Sequence, residues 1–418
     1  IDLAYKYNDI VSTAIRSQVT WTFLGVALML LFMLIVRDHR KIRAFTWTSM
    51  IVGLVLIILP LFPGLGNDVN GAKVWVSLGP LGSFQPAEFS KVLFAIFFAG
   101  YLTQNSERLN LKLAGKKILG FRLPTIQDFL PIFLVWLVSI LVLVLQHDLG
   151  TSLLFFGIFI AQLYIATSKA SWAILGLIMF AGGAVIAYYL FSHVQARVAI
   201  WLNPMSEALY NKDIGGSGQL VQGFFALANG GLFGVGWGNG YPILTPYSNS
   251  DFIYTALGEE LGLTGMMAIL VLYLLIIERG LSTSLKCRDG FGKLLAAGVA
   301  FSLALQIFVV VGGVTRVIPM TGLTLPFIAR GGSSLVANYL MIGLLIVISN
   351  DANKPVDNSA IRISRDQLAP LLESNETQNS ETQNLRTKTF RNVSDFAPSG
   401  IGEVPLFRNP EFDRVGEL

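Results

Sequence analysis

Asp251 lies in the run Ser250-Asp-Phe-Ile253, where a polar stretch gives way to a long apolar one, and Glu259 and Glu260 follow within ten residues of it. Acids are costly beside hydrocarbon, so each needs a partner, a wet cavity or a task. A carboxylate within hydrogen-bond reach of a hydroxyl can serve as a general base. Capping of the following helix is the competing reading for Asp251. Glu259 and Glu260 fall two or more turns farther along, and at least one of them is expected to face a polar interior.

Other polar words interrupt the apolar runs. In Gln85-Pro-Ala-Glu-Phe-Ser-Lys91, Glu88 and Lys91 are three apart, share one helix face and can pair. The pair either anchors a helix end or walls a cavity in which Lys91 meets an anionic ligand, and the residues alone leave both open. In Gln146-His-Asp-Leu-Gly-Thr151, Asp148 suits a helix N-cap and Gly150 a tight turn. His147 has no Cys, Asp or Glu set at ligand spacing, which argues against a metal there. Arg197 falls just past an apolar run, where a guanidinium can grip a phosphate with two parallel bonds or simply snorkel. Gly215-Gly-Ser-Gly-Gln219-Leu-Val-Gln222 and Gly234-Val-Gly-Trp-Gly-Asn-Gly240 are glycine-rich without the strand–helix context of a dinucleotide site. They point to close backbone approach to a ligand or a neighbouring helix.

The elements that position these residues belong in a membrane. Hydrophobic residues make up 53% of the 418 and charged residues 13%, with a mean hydropathy of +0.61; soluble domains carry about 25% charge. The apolar runs approach the ~20 residues that a helix needs to cross a bilayer. The alternating segments of ~10 residues that build a β-barrel are absent. The fold class is therefore an all-α polytopic membrane protein. Cys287 is the single cysteine, which excludes an internal disulfide and any Cys-based metal cluster. The net charge of +4 is spread over short loops, and topology accounts for it better than nucleic acid does.

Nine spans are expected, at roughly 19–36, 45–62, 88–103, 126–146, 150–167, 171–192, 252–277, 292–314 and 332–349. The loops after the first, third, fifth and seventh carry fourteen Lys and Arg, against seven on the other side. The positive-inside rule then places the N-terminus of this chain outside and its C-terminal tail in the cytoplasm. The first residue is Ile1, and no signal-peptide pattern follows it, so the chain is expected to begin inside a longer protein. Residues 1–350 form the transmembrane domain; 351–418, rich in Asn, Gln, Ser, Thr, Glu and Arg, read as a disordered cytoplasmic tail. The outer segments 63–87, 193–251 and 315–331 are long, and long structured loops usually carry function. Within the large outer loop 193–251, the apolar stretch Leu220 to Phe233 is too short to span and is expected to lie at the interface or re-enter. Thr321 to Ala329 is similar, and such non-helical backbone persists at membrane depth only against protein or water.

Six words occur in a fixed order: Asn70-Gly-Ala-Lys-Val-Trp75, Gln85-Pro-Ala-Glu-Phe-Ser-Lys91, Asp148-Leu-Gly-Thr151, the run Arg197 to Pro204, Ser250-Asp-Phe-Ile253 with Gly258-Glu-Glu-Leu-Gly262, and Pro319-Met-Thr-Gly-Leu-Thr-Leu-Pro-Phe327 with Gly331-Gly-Ser-Ser334. Together they resemble the SEDS family (shape, elongation, division and sporulation), which includes RodA and FtsW. Gly312-Gly-Val-Thr-Arg-Val-Ile-Pro319 looks most like the RodA type from actinobacteria. The resemblance covers nearly all of the membrane part. The family typically has ten spans, so the chain looks like a member lacking at least its first helix. Ala329-Arg330 departs from the family's usual Ser-Tyr and puts a second outward arginine near the site.

The resemblance implies a peptidoglycan glycosyltransferase, polymerising lipid II at the outer face of the bacterial cytoplasmic membrane in elongation or division. Asp251 matches the family's essential aspartate and would take the proton of the acceptor sugar's 4-hydroxyl. Arg197 and Lys91 would stabilise the diphosphate leaving group. Glu88, Gln219, Gln222, Glu259 and Glu260 complete the implied substrate-binding set. A divalent cation could assist, but no ligand cluster demands one and metal ligands stay unassigned. The implied partners are lipid II, a class B penicillin-binding protein as transpeptidase, and the membrane, with no nucleic acid. Two other classes remain open: a lipid II flippase, which should tolerate Asp251→Asn better, and a non-catalytic scaffold of the cell-wall complex, which should tolerate it completely.

Overall fold

The computed structural model describes residues 2–69, 72–77, 79, 83–111, 117–118, 121–122, 137–138, 141–142, 146, 148–212 and 215–354. The expected tail from residue 355 on, His147 and most of the expected span 126–146 lie outside the described residues; the tail's expected start at 351 is corrected, because the last helix continues to Ala352. The other eight expected spans each coincide with a helix. These are α1 (Asp2–Ile35), α2 (Thr46–Ile58), α3 (Pro86–Leu111), α4 (Leu149–Thr167) and α5 (Ala170–Leu190), then, after three shorter helices, α9 (Ile253–Lys286), α10 (Gly290–Val314) and α11 (Gly332–Ala352). Seven of them are long and apolar enough to cross a membrane. The eighth, α3, has 26 residues, about 39 Å of helix, with Glu88 in its first turn. Two helices outrun their apolar cores: α1 extends back to Asp2 and α9 on to Lys286.

Burial sorts the helices into a centre and a rim. The apolar windows of α10 and α11 are 72% and 67% buried, whereas that of α1 is 6% buried. The exposed Leu, Ile, Val and Phe of α1, α2, α5 and α9 would form aggregation-prone patches in water and face hydrocarbon in a bilayer. Lipid gives no hydrophobic drive for helix association, so close packing and interhelical hydrogen bonds hold the centre. Gln162 of α4 is fully buried and donates to the carbonyls of Ala95 on α3 and Leu294 on α10, both at 3.1 Å. On the rim, α1 runs parallel to α11, with Trp21 against Gly332, Gly25 against Tyr339 and Met29 against Gly343. Small residues of this kind let two helices approach closely.

The segments at the Asp251 end are structured. Gly66–Val69, Ala72–Ser77 and Ser83–Phe84 form a three-stranded antiparallel sheet, and elsewhere Lys117–Ile118 pairs antiparallel with Phe121–Arg122. Val69 pairs with Ala72. Residues 193–251 hold the three short helices α6 (Ser192–Leu202), α7 (Glu207–Tyr210) and α8 (Gly218–Gly230). The short apolar stretch expected to lie flat or re-enter is thus mostly α8. Its Leu220 and Val221 are buried, and Gly223 makes room for Phe252 and Thr255 at the start of α9.

The apolar run of α9 conceals a break. Gly262 has φ 68° and ψ −173°, a region open in practice only to glycine. The break frees main-chain groups, and the glycine-rich loop after α8 satisfies them. Val235 and Gly236 donate to the carbonyls of Glu259 and Glu260 at 3.0 Å, while Leu263 and Thr264 donate to Gly231 and Leu232 at 2.9 and 3.1 Å. The irregular segment 320–329 is satisfied in the same way by protein. Gln306 donates to the Thr324 carbonyl at 2.8 Å and the Tyr273 hydroxyl to that of Pro326 at 2.5 Å.

Candidate active site

Asp251 occupies a tight turn that closes on Tyr247, whose carbonyl accepts from Ser250 and Phe252 at 3.0 and 3.1 Å. Tyr247 has φ 59°, and Phe252 is fully buried, so the turn is pinned from below by the packing of α8 on α9. The N-cap of α9 is Phe252, and no side chain caps it. Capping therefore does not account for Asp251, whose carboxylate is half-buried and left to face its surroundings.

Two charged groups converge on it. Arg197 projects from α6, and its Nη1 donates to the Met320 carbonyl at 2.7 Å. That helix is itself stapled to the 315–331 segment. Arg316, with φ 63°, donates to the carbonyls of Trp201 and Leu202, both at 2.7 Å, and Trp201 returns a bond to the Arg316 carbonyl at 3.1 Å. Gly322 lies between the charges: a Cβ there would sit 3.9 Å from both Arg197 Nη2 and Asp251 Oδ2. Asp148 is the third member. It caps α4 as expected, accepting from the Thr151 amide at 2.9 Å and the Thr151 hydroxyl at 2.5 Å.

The three charges tune one another. Burial, against the pull of Arg197 and with the push of Asp148, raises the Asp251 carboxyl to about 6. Burial also raises Asp148, despite the Thr151 bonds and Arg197, and Glu88 adds to the rise. Burial lowers Arg197, while the two aspartates draw it back up. An arginine remains a cation at neutral pH all the same. Strongly perturbed groups gathered at one place are a mark of a functional site.

Glu88 connects this cluster to the bundle interior. Both Glu88 and Lys91 are buried, and Lys91 Nζ lies 2.5 Å from Glu88 Oε2. The ammonium also donates to Gln306 of α10 at 2.9 Å and Asn338 of α11 at 3.1 Å. Two amide oxygens and one carboxylate thus surround the ammonium, and the pair is a node that joins α3, α10 and α11.

The remaining expected residues lie on α8 and α9. Glu259 is buried and accepts from Asn229 at 2.9 Å through one oxygen. Its Oε2 and the Glu260 side chain flank Gly240. Gln222 donates to the Tyr210 hydroxyl at 3.2 Å and ties α8 to α7. Gln219 is half-buried in the first turn of α8. Glu259 lies eight residues beyond Asp251, about 12 Å of helix.

The sequence reading left Asp148 out of the site residues, because capping was the stronger reading. One signal was available. Serine or asparagine caps as well as aspartate does, so a charged cap that is half-buried asks for a second reason. A cavity beside Asp251, lined by Gly313, Met320 and Gly322, has a volume of about 10 Å³, room for roughly one water. Gly322, beside the cavity, is exposed.

A model of the FtsW/RodA/SpoVE family, described as a cell cycle protein, matches residues 2–354. The chain is 46% identical over 343 residues to the peptidoglycan glycosyltransferase RodA of Mycobacterium tuberculosis, across 82% of this chain and 71% of that protein. It is 32% identical over 351 residues to the stage V sporulation protein E of Bacillus subtilis, across 82% of this chain and 89% of that one. A chain in a solved peptidoglycan synthase complex has the same fold, with a TM-score of 0.63 and 24% identity over 85% of this chain and 98% of that chain. The resemblance carried by the six words holds, and so does its leaning to RodA. The chain belongs to the FtsW/RodA/SpoVE family of multi-pass membrane proteins.

Proposed function

We propose that the chain is a peptidoglycan glycosyltransferase that polymerises lipid II, with Asp251 as its general base. The observation that carries this reading is the meeting of Asp251 and Arg197 around the exposed Gly322. In the reaction, the acceptor's 4-hydroxyl oxygen forms a bond to the donor's anomeric carbon. The bond from that carbon to the lipid diphosphate breaks, and the hydroxyl proton passes to Asp251. A base with a pKa near 6 is ionised at neutral pH and still accepts a proton readily. Negative charge grows on the departing diphosphate, and Arg197 stands where it can meet that charge. Asp148 sets the field around Arg197. Lys91 contributes through Glu88, since its ammonium is already surrounded. Glu259, Glu260, Gln219 and Gln222 line the approach to the site. An apolar cavity of about 570 Å³, lined by Trp21, Phe84, Phe89 and Leu340 among others, suits part of a polyprenyl chain.

In this reading the Asp251 end faces outward from the bacterial cytoplasmic membrane, with residues 351–418 in the cytoplasm. A class B penicillin-binding protein is the natural partner, because the strands made here need crosslinking. The like-folded chain of a peptidoglycan synthase complex supports that pairing. The test is glycan polymerisation from lipid II by the purified chain with its partner transpeptidase. Asp251→Ala is expected to abolish the polymer. Full polymer from that variant would overturn the reading, and movement of lipid II across vesicles without polymer would replace it with a flippase.

A further inference from the structure

We propose that His39, Cys287 and Asp289 form a binding site for a zinc-type divalent transition ion at the end of the bundle opposite Asp251. His39 opens the short 3-10 turn between α1 and α2, while Cys287 and Asp289 connect α9 to α10. Asp251 precedes α9 and Cys287 follows it, so the helix separates the two places, its unbroken part after Gly262 alone running about 36 Å. This proposal is independent of the glycosyltransferase reading.

The geometry is that of a gathered ligand set. His39 Nε2 is 2.9 Å and Cys287 Sγ 3.4 Å from the same oxygen, Asp289 Oδ1. All three ligand atoms lie within 4.8 Å of one another. Zinc holds N, O and S ligands at about 2.0–2.3 Å in a tetrahedron, which sets neighbouring ligands roughly 3.3–3.8 Å apart, so only small shifts are needed. His39 is fully buried and Cys287 nearly so. The other oxygen of Asp289 accepts from the Gly292 amide at 2.7 Å, which caps α10 and aims Oδ1 at the cluster. Gly292 keeps the space open, because a Cβ there would meet both His39 Nε2 and Cys287 Sγ.

A further observation favours a metal over a plain His–Asp hydrogen bond. His39 Nδ1 is buried without a hydrogen-bond partner, and it points to Asp351 Oδ2 at 4.0 Å. A carboxylate behind the far nitrogen is the arrangement that orients a metal-bound imidazole. The mixed N, S, O set suits zinc rather than magnesium or calcium, which take oxygen ligands. A single thiol excludes a site built from cysteines but not a mixed one. Arg40 lies 3.6 Å from Asp289 and 3.0 Å from Asp351; with more than half of its side chain exposed, it can withdraw as an ion enters. On binding, the thiol loses its proton to solvent, Nε2 becomes the donor to the metal, and the imidazole proton sits on Nδ1 facing Asp351. The ion would fasten the α1–α2 and α9–α10 connections, with Asp351 drawing in the end of α11.

The test titrates the full chain in detergent, purified without a polyhistidine tag, with cobalt(II) and then with zinc. The expected result is one cobalt per chain, a thiolate-to-cobalt charge-transfer band that zinc abolishes, and loss of that band in Cys287→Ser. A native chain with no such band at equimolar cobalt would overturn the proposal, whether or not the variant folds. A band unchanged in Cys287→Ser would mean an adventitious ion only, and would overturn it equally.

Discussion

Arg197 and Asp251 face each other across Gly322, each 3.9 Å from where a methyl on that glycine would stand. Arg197 spends one nitrogen on the Met320 carbonyl rather than on the aspartate. The guanidinium therefore lowers the cost of the Asp251 charge without locking the carboxylate in a contact. A base that must receive a proton needs this partial support.

The rate of polymerisation should follow the ionisation of Asp251. Its acid limb is expected to rise through about pH 6 and level off near neutrality. Arg197→Met removes the favourable charge and should move the limb to higher pH, besides lowering the plateau. Asp148→Asn removes the like charge while keeping an N-cap, and should move the limb to lower pH. The dependence of kcat/KM on pH in the three proteins checks both signs.

Asp251 should also be a stability liability. Its folded pKa is about 6, against 3.8 for the free group, so between those values the native state holds more protons than the unfolded chain. Stability then falls as pH rises through that window, and the deficit is complete above it. Asp251→Asn is expected to gain on the order of 1–2 kcal/mol at pH 7, after allowance for solvent screening. The gain should vanish below about pH 4. Thermal unfolding in detergent at the two pH values measures it.

Lys91→Met strands a buried Glu88 and should cost about 3–5 kcal/mol. The double variant Glu88→Gln with Lys91→Met should regain most of that stability. If the pair only fastens helices, the double variant will also regain polymerisation. The field that Glu88 lends to Asp148 predicts that activity stays low.

Gly262→Ala should cost more than about 2 kcal/mol, because a Cβ at φ 68° would strike Gly234 and Leu232. Gly234→Ala should behave alike, since it too has positive φ and lies against the Glu260 carbonyl. Gly182 on α5 has open space around its Cβ position, so Gly182→Ala should be neutral or slightly stabilising. Unfolding midpoints of the three variants give the comparison.

Seven of the spans were legible because their helices carry their apolar length as one continuous run. Asp251 was legible as an acid at the mouth of such a run, and Glu88 with Lys91 as a pair on one face. The break at Gly262 was hidden, since hydropathy does not register a backbone angle and the glycine sits between Leu261 and Leu263. The joining of Asp148 to Arg197 and Asp251 was hidden for another reason. It depends on how α4, α6 and the turn before α9 meet, and no local pattern encodes that meeting.

The loop after α8 and the two halves of α9 exchange main-chain bonds, through residues 231–236 and 259–264. Side-chain identity hardly enters that joint. Phe233 and Trp237 are 81% and 75% exposed, so they are free to diversify without displacing Glu259. Evolution can thus rewrite the outer face of this loop for new neighbours while the glycines at 234 and 262 hold the chemistry in register.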